Sequence, residues 1–161
     1  MDFKSKTVCF TGHRKIPPEQ LDVVARRLRK TLLELIENGY RYFGAGGALG
    51  FDTLAAQAVL DLKGKYPVKL CLYLPCDNQT EGWEMADIAE YERIKALADE
   101  IFYVNHGKAS ASLMKKRNRA MVEASDYCIC YLNGEQRSGT AQTVRMAEEK
   151  GIEVINLYKN M

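Results

Sequence analysis

The sequence predicts a doubly wound α/β fold, in which one mainly parallel, six-stranded sheet carries helices on both faces. Short apolar segments rich in β-forming residues alternate with amphipathic segments along the whole chain, as in a parallel sheet with crossover helices. The length of 161 residues suits one domain. Because no linker, repeat or low-complexity segment divides the chain, residues 1–161 are expected to form a single domain.

The predicted strands are short, and each of the first five ends at a glycine, a proline or a polar loop. They cover residues 6–10, 40–43, 68–74, 100–104, 127–132 and 153–157. We expect the first strand near the centre of the sheet, with the second strand and the glycine-rich loop that follows it alongside.

Five predicted helices connect these strands. The first begins at Pro17–Glu19, because proline is tolerated in the first helical turn. Its apolar residues recur at three- and four-residue steps, and Gly39 stands where a C-terminal cap belongs. The remaining helices cover about 51–62, 83–97, 110–124 and 140–150. Each connection is thus a helix of the length that parallel strands require.

Composition excludes several classes of protein. Twenty-three Lys and Arg against 21 Asp and Glu leave a net charge of +2, which is too small for the overall basic field of a dedicated duplex-DNA binder. No apolar run approaches the length of a membrane span, and the polar first six residues do not resemble a signal peptide. We therefore expect a cytoplasmic protein with no membrane partner.

The five cysteines support the same location. Cys9, Cys71, Cys128 and Cys130 lie in apolar runs, and Cys76 follows a proline. Cys128 and Cys130 lack the second pair that a tetrahedral zinc site needs, and the chain has two histidines. The sequence therefore predicts reduced core cysteines, no metal site and no required cofactor.

Ligands of an open parallel sheet bind beyond the carboxyl ends of its strands, so unusual residues at these ends are candidates for a site. After the first strand come Gly12, His13 and Arg14, which would bring donors and positive charge above the sheet. The second strand runs into a glycine-rich loop. Its candidates are Gly46, Gly47, Gly50 and Asp52.

The glycine loop has two interpretations. Glycines between a strand and a helix let backbone N–H groups approach a phosphate, although they also suit a plain tight turn. The spacing differs from both the dinucleotide fingerprint and the Walker A loop. Asp52, in the first turn of the next helix, either suits the helix dipole or accepts hydrogen bonds from ribose hydroxyls.

Arg117 is the sharpest signal that periodicity provides. It shares the apolar stripe of its helix with Met114 and Met121, and Asn118 lies beside it. A guanidinium on a buried stripe needs a partner, because an unpaired buried charge is strongly unfavourable. That partner is either a carboxylate of the protein or an anionic ligand.

Two further segments contribute candidates. Ser138, Gly139 and Thr140 begin the helix after the fifth strand, where they either cap it or bind a phosphate. After the third strand, Gln79 and Trp83 lie over the same edge of the sheet. Trp83 either stacks on a base or anchors packing.

In this order, the motifs resemble the SLOG superfamily, and its YpsA-like branch in particular. They are Thr-Gly-His-Arg, Gly-Gly-Ala-Leu-Gly-Phe-Asp, Pro-x-x-x-Gln-x-x-x-Trp, Arg-Asn-x-x-Met-Val and Ser-Gly-Thr-x-x-Thr-Val. The superfamily has a Rossmann-like fold and includes the DNA-processing protein DprA and the LOG phosphoribohydrolases. The resemblance covers nearly the whole chain. It implies a cavity for a nucleotide or nucleotide-derived ligand at the strand ends, and related proteins often form homodimers.

Two departures separate the chain from the hydrolases. LOG enzymes carry Arg-Lys where this chain has Arg117-Asn118, and they carry a catalytic Glu at the position of Thr143. A threonine cannot stabilise an oxocarbenium-like centre or activate water as a carboxylate does. We therefore expect a nucleotide-binding protein that acts as a sensor or has an unassigned activity.

The sequence also allows two alternative functions. One is an N-glycosidase or transferase acting on a nucleotide, with its carboxylate relocated to Asp52, Asp77, Glu81 or Glu84. The other is a single-strand nucleic-acid binder similar to DprA. That binder would use the cations Arg14, Lys115, Lys116 and Arg119.

Overall fold

The computed structural model describes residues 6–158, which form six strands and five helices in strict alternation. The strands are β1 (Lys6–Gly12), β2 (Tyr40–Ala45), β3 (Lys69–Leu74), β4 (Glu100–Tyr103), β5 (Tyr127–Tyr131) and β6 (Glu153–Asn156). The helices are α1 (Pro18–Glu37), α2 (Phe51–Lys63), α3 (Met85–Leu97), α4 (Ala111–Glu123) and α5 (Gly139–Lys150). The predicted fold class is confirmed.

The sheet has the order β4-β3-β2-β1-β5-β6, and every neighbouring pair is parallel. The chain therefore moves outward from β1 to β4 and then returns to the other side of β1 as β5. This reversal opens a crevice beyond the carboxyl ends of β1 and β5, where ligands of doubly wound folds bind. As predicted, β1 is central and β2 lies beside it.

Alternation along β1 divides the core between the two faces of the sheet. Val8 and Phe10 belong to the larger core cluster, which α1, α2 and α3 cover. Cys9 points the other way, into a smaller cluster formed with α4 and α5. Successive side chains of a strand project to opposite faces, so an almost wholly apolar strand indicates burial on both sides.

All five cysteines are buried free thiols. Cys9 and Cys128 lie side by side on the paired strands β1 and β5. Burial raises the pKa of Cys130 to about 12, which makes it an unreactive core residue. The prediction that the cysteines lie in the core is thus correct.

The structure corrects one helix boundary. The sequence pattern starts a helix at Trp83, but α3 begins at Met85. Gly82 has a φ of +85°, and the Trp83 N–H donates to the Thr80 carbonyl at 3.0 Å. Residues 80–83 therefore form a turn, and the extended Glu84 precedes the helix. None of the helices in residues 6–158 is long and apolar enough to cross a membrane.

Candidate functional site

A cavity of about 330 Å³ lies beyond the carboxyl ends of β1 and β5, against α4. Its volume is at the lower end of the range for small-molecule sites. The predicted site residues that line it are Gly12, His13, Arg14, Asp52, Arg117, Asn118, Ser138, Gly139 and Thr140. Four lining residues were not among the predicted ones, namely Phe10, Thr11, Ala48 and Met114. Their positions next to predicted residues in the motifs or on α4 are the signal that could have found them.

Arg117 reaches from α4 to the ends of two strands. Its guanidinium donates to the carbonyl oxygens of Gly46 and, at 3.4 Å, of Tyr73. Its Nε donates to Asn118 Oδ1 at 2.7 Å. The side chain is 5% exposed, and within residues 6–158 no carboxylate forms an ion pair with it at 4 Å or less. Two backbone carbonyls and the Asn118 amide oxygen therefore accept the hydrogen bonds of the buried guanidinium, and Arg117 supports the fold as well as the cavity.

Asp52 lies in the first turn of α2 and is 6% exposed. One of its carboxylate oxygens accepts the Ala48 N–H at 3.2 Å. Burial raises the pKa of Asp52 to about 6, against the opposing effect of the Arg117 and Arg14 charges and the Ala48 N–H. Asp52 thus lies on the cavity wall, and its carboxyl group titrates near pH 6.

The glycines of the β2–α2 loop do not line the cavity, and close packing explains two of them. A side chain at Gly46 would overlap the Arg117 guanidinium, and one at Gly50 would overlap the carbonyls of His13 and Arg14. The Phe51 N–H at the start of α2 donates to the His13 carbonyl at 3.1 Å. Gly46 and Gly50 therefore allow close packing around the loop after β2. Ala48 and Asp52 are the residues of this segment that line the cavity.

His13 and Arg14 lie on the cavity wall after β1. His13 Nε2 accepts the Asn133 N–H at 3.0 Å, so the neutral ring carries its proton on Nδ1. Burial lowers the pKa of His13, which favours this neutral form. Arg14 is exposed, and within residues 6–158 its guanidinium has no hydrogen-bond or ion-pair partner. It is therefore available to an anion.

The N-terminus of α5 faces the same cavity. Ser138 caps the helix by accepting the Ala141 N–H at 3.0 Å. Helix geometry leaves the N–H groups of Gly139 and Thr140 without intrahelical acceptors, at the positive end of the helix dipole. Thr143 is fully buried, and its hydroxyl donates to the Gly139 carbonyl at 2.9 Å. The position of the hydrolase glutamate is thus filled by a residue of the core.

The loop after β3 lies outside the cavity. Gln79 is buried beneath the glycine loop, where its amide donates to the Gly46 carbonyl at 3.2 Å. Trp83 packs edge-on against Tyr91 with ring centroids 5.5 Å apart, so it anchors packing. Gln79 supports the loop that carries Ala48 and Asp52.

Three of the four candidate acids are also separate from the cavity. Asp77 pairs with His106 at 3.0 Å, the Glu81 carboxylate accepts the Asn78 amide at 2.9 Å, and Glu84 precedes α3. All three acids are exposed. Of the acids predicted for catalysis, Asp52 is the one that lines the cavity.

Comparison with known proteins gives both a family and a fold. The family model for the YspA SLOG family matches residues 8–158. A UPF0398 protein of Bacillus thuringiensis (strain Al Hakam) is 28% identical over 155 residues, which cover 91% of this chain and 84% of the relative. A UPF0398 protein of Bacillus cereus (strain AH820) is 27% identical over the same shares.

Two solved structures of DNA processing protein A (DprA) have a similar fold. The Streptococcus pneumoniae protein aligns with a TM-score of 0.70 and 19% identity, over 94% of this chain and 50% of that one. The Helicobacter pylori protein, whose structure concerns its mode of binding single-stranded DNA, aligns with a TM-score of 0.70 and 21% identity, over 94% and 64%. The chain thus spans half to two thirds of these structures, and identities this low establish the fold alone.

Proposed function

Because this chain belongs to the YspA SLOG family, we propose that it is a cytosolic protein that binds a nucleotide or nucleotide-derived ligand in the cavity beyond β1 and β5. The convergence of Arg14, the α5 N-terminus and Asp52 on one cavity carries the proposal. Its five free buried thiols suit a reducing compartment.

The cavity offers different chemistry to the two polar parts of a nucleotide. Arg14 and the N–H groups of Gly139 and Thr140 are donors suited to a phosphate. Asp52 is an acceptor suited to ribose hydroxyls, as the acidic residue of dinucleotide-binding folds is. A free inorganic anion would offer Asp52 no donor beyond the Ala48 N–H that it already accepts, so a nucleotide fits the cavity better than phosphate alone.

Arg14→Gln is expected to weaken nucleotide binding at least tenfold and to leave the melting temperature of the free protein unchanged. The change removes a charge-assisted hydrogen bond worth about 1.5 to 3 kcal/mol, whereas substitutions on an exposed surface alter stability by roughly 0.5 kcal/mol or less. A thermal-shift screen with AMP, ADP-ribose, NAD, cyclic nucleotides and other nucleoside monophosphates finds the ligand class, and titration calorimetry then compares the variants.

Arg26→Gln is the matched control, because Arg26 is exposed on α1 and does not line the cavity. It should bind the nucleotide as the unchanged protein does. Equal affinity in the Arg14 variant, or a screen in which no nucleotide stabilises ligand-free protein, would overturn the proposed function.

Single-strand nucleic-acid binding is the second candidate function. It is favoured by the DprA-like fold and by Lys115, Lys116 and Arg119, which are exposed on α4. Electrostatic binding of this kind weakens as the salt concentration rises.

In this second function, an oligonucleotide should lose affinity steeply between 50 and 200 mM salt, by about 0.7 in logarithmic slope for each phosphate contacted. The double variant Lys115→Gln/Arg119→Gln should reduce that slope by about 0.7 to 1.4, the equivalent of one to two phosphate contacts, as fluorescence anisotropy measures. Arg29→Gln/Lys30→Gln on the exposed face of α1 is the control. Undetectable binding at 50 mM salt, or identical slopes for both double variants, would exclude this function.

A further inference from the structure

A second cavity, the side cavity, lies next to the first, between the segment after β1 and helix α2. Its volume is about 780 Å³. The apolar part of its wall consists of Ile16, Pro17, Pro18, Leu21, Leu49 and Leu54. Polar groups line the rest, including Gln57, Asp87 and Asn133. A mainly apolar wall with a few polar groups is what a heterocyclic ring requires.

The two cavities meet at Arg14, which lines both of them. The close approach of Gly50 to the backbone of His13 and Arg14 fixes the position of this junction. The Phe51 N–H, which donates to the His13 carbonyl, holds the same two loops together. Backbone packing and a backbone hydrogen bond therefore hold the junction in place.

Positive charge is concentrated where the cavities join. Arg14 is followed directly by Lys15, which lines the side cavity, and both side chains are exposed. Arg14 and Lys15 thus lie between the cavity proposed for a nucleotide and a mainly apolar cavity. This order matches a nucleotide whose phosphates are followed by a second ring system.

We propose that the ligand is a two-part nucleotide, in which a pyrophosphate links a nucleotide to a second, ring-bearing group. One part occupies the first cavity with its ribose near Asp52. The pyrophosphate lies against Arg14 and Lys15, and the second ring lies in the side cavity against Leu21 and Leu54. This inference rests on the proposed function, and it is supported by the first cavity, whose 330 Å³ is small for a whole dinucleotide.

Titration calorimetry with AMP, ADP and diadenosine diphosphate tests the proposal, because the last probe has two identical ends joined by a pyrophosphate. We expect diadenosine diphosphate to bind at least tenfold more tightly than AMP and more tightly than ADP. Leu21→Gln should weaken diadenosine diphosphate at least threefold and leave AMP unchanged. Leu21 is 42% exposed, so this variant should fold normally.

Leu97→Gln is the control, since Leu97 is 47% exposed on α3 and lies outside both cavities. It should alter neither affinity. AMP binding that depends on Arg14, together with diadenosine diphosphate binding that is no tighter and is insensitive to Leu21→Gln, would overturn this inference and leave the proposed function standing. If none of the three probes binds, this inference fails, and the proposed function fails with it when the wider nucleotide screen is also negative.

Discussion

Gly50→Ala is expected to lower the free energy of unfolding by about 3 kcal/mol or more. Gly50 precedes α2 with a φ of +78° and a ψ of −120°, a backbone conformation that costs a residue with a Cβ on the order of 1 to 3 kcal/mol. The new Cβ would also overlap the carbonyl groups of His13 and Arg14. These are backbone atoms that cannot rotate away, and overpacking of this kind costs roughly 1 to 3 kcal/mol more.

Two other glycines separate these effects. Gly64 ends the same helix with a φ of −72° and open space around it, so Gly64→Ala should be neutral or stabilise by about 0.4 to 1 kcal/mol. Gly82 has a φ of +85° but also faces open space, so Gly82→Ala should cost the conformational part alone.

Urea unfolding of the three variants measures the series. The expected order of stability is Gly64→Ala, then Gly82→Ala, then Gly50→Ala. Equal losses for the last two would show that the loop after β1 accommodates the added Cβ without cost, and would contradict the predicted overlap.

The role of the glycines in residues 44–50 could not be decided from the sequence alone. Four glycines within residues 44–50 predict a phosphate-binding loop, because the pattern is local and such loops share it. In the structure, Gly46 and Gly50 make room for Arg117 and for the loop after β1. Those neighbours are distant in sequence, so composition alone could not distinguish a glycine that admits a ligand from one that admits another loop.

Periodicity predicts that Arg117 is buried, but it does not predict which groups accept its hydrogen bonds. Its spacing from Met114 and Met121 predicts a buried guanidinium, and burial is what the structure has. Besides the adjacent Asn118 side chain, its acceptors are the carbonyls of Gly46 and Tyr73, which lie 71 and 44 residues away. No side-chain pattern encodes a backbone acceptor, and for this reason the sequence left the choice between a carboxylate and a ligand open.

The order of the strands decides which predicted residues meet. The ends of β1, β2 and β5 converge because β1 lies between the other two. Gln79 and Trp83 follow β3, one strand further out, and their side chains are directed to Gly46 and Tyr91. Local patterns identify strand ends well, but pairing across the sheet selects which of them share a cavity.

Asp52→Asn is expected to raise the free energy of unfolding by about 3 kcal/mol above pH 7 and to leave it unchanged near pH 4. The pKa of Asp52 is about 6 in the folded protein, against a reference value of 3.8. Between these values the folded state holds a proton that the unfolded state has released. Stability therefore falls as the pH rises through this window, by about 1.4 kcal/mol for each pKa unit.

Asparagine resembles the protonated carboxyl group and carries no charge that burial penalises. Urea unfolding of both proteins from pH 4 to pH 8 should show a difference in stability that grows with pH and levels off above pH 7. Asp61→Asn, on the exposed face of the same helix, is the control and should show no such growth. A constant difference across the range would contradict the raised pKa.

The same variant should lose affinity for the ligand, and this combination identifies the role of Asp52. A carboxylate retained only for the fold would not destabilise it at neutral pH, whereas sites built for ligands often do so. In calorimetry the unchanged protein should prefer AMP to 2′-deoxy-AMP, because Asp52 accepts the ribose hydroxyls, and Asp52→Asn should bind both equally. A ribose preference that survives the substitution would assign hydroxyl recognition to another residue. Release of free base by the unchanged protein, lost in the variant, would instead make Asp52 the relocated carboxylate of an N-glycosidase.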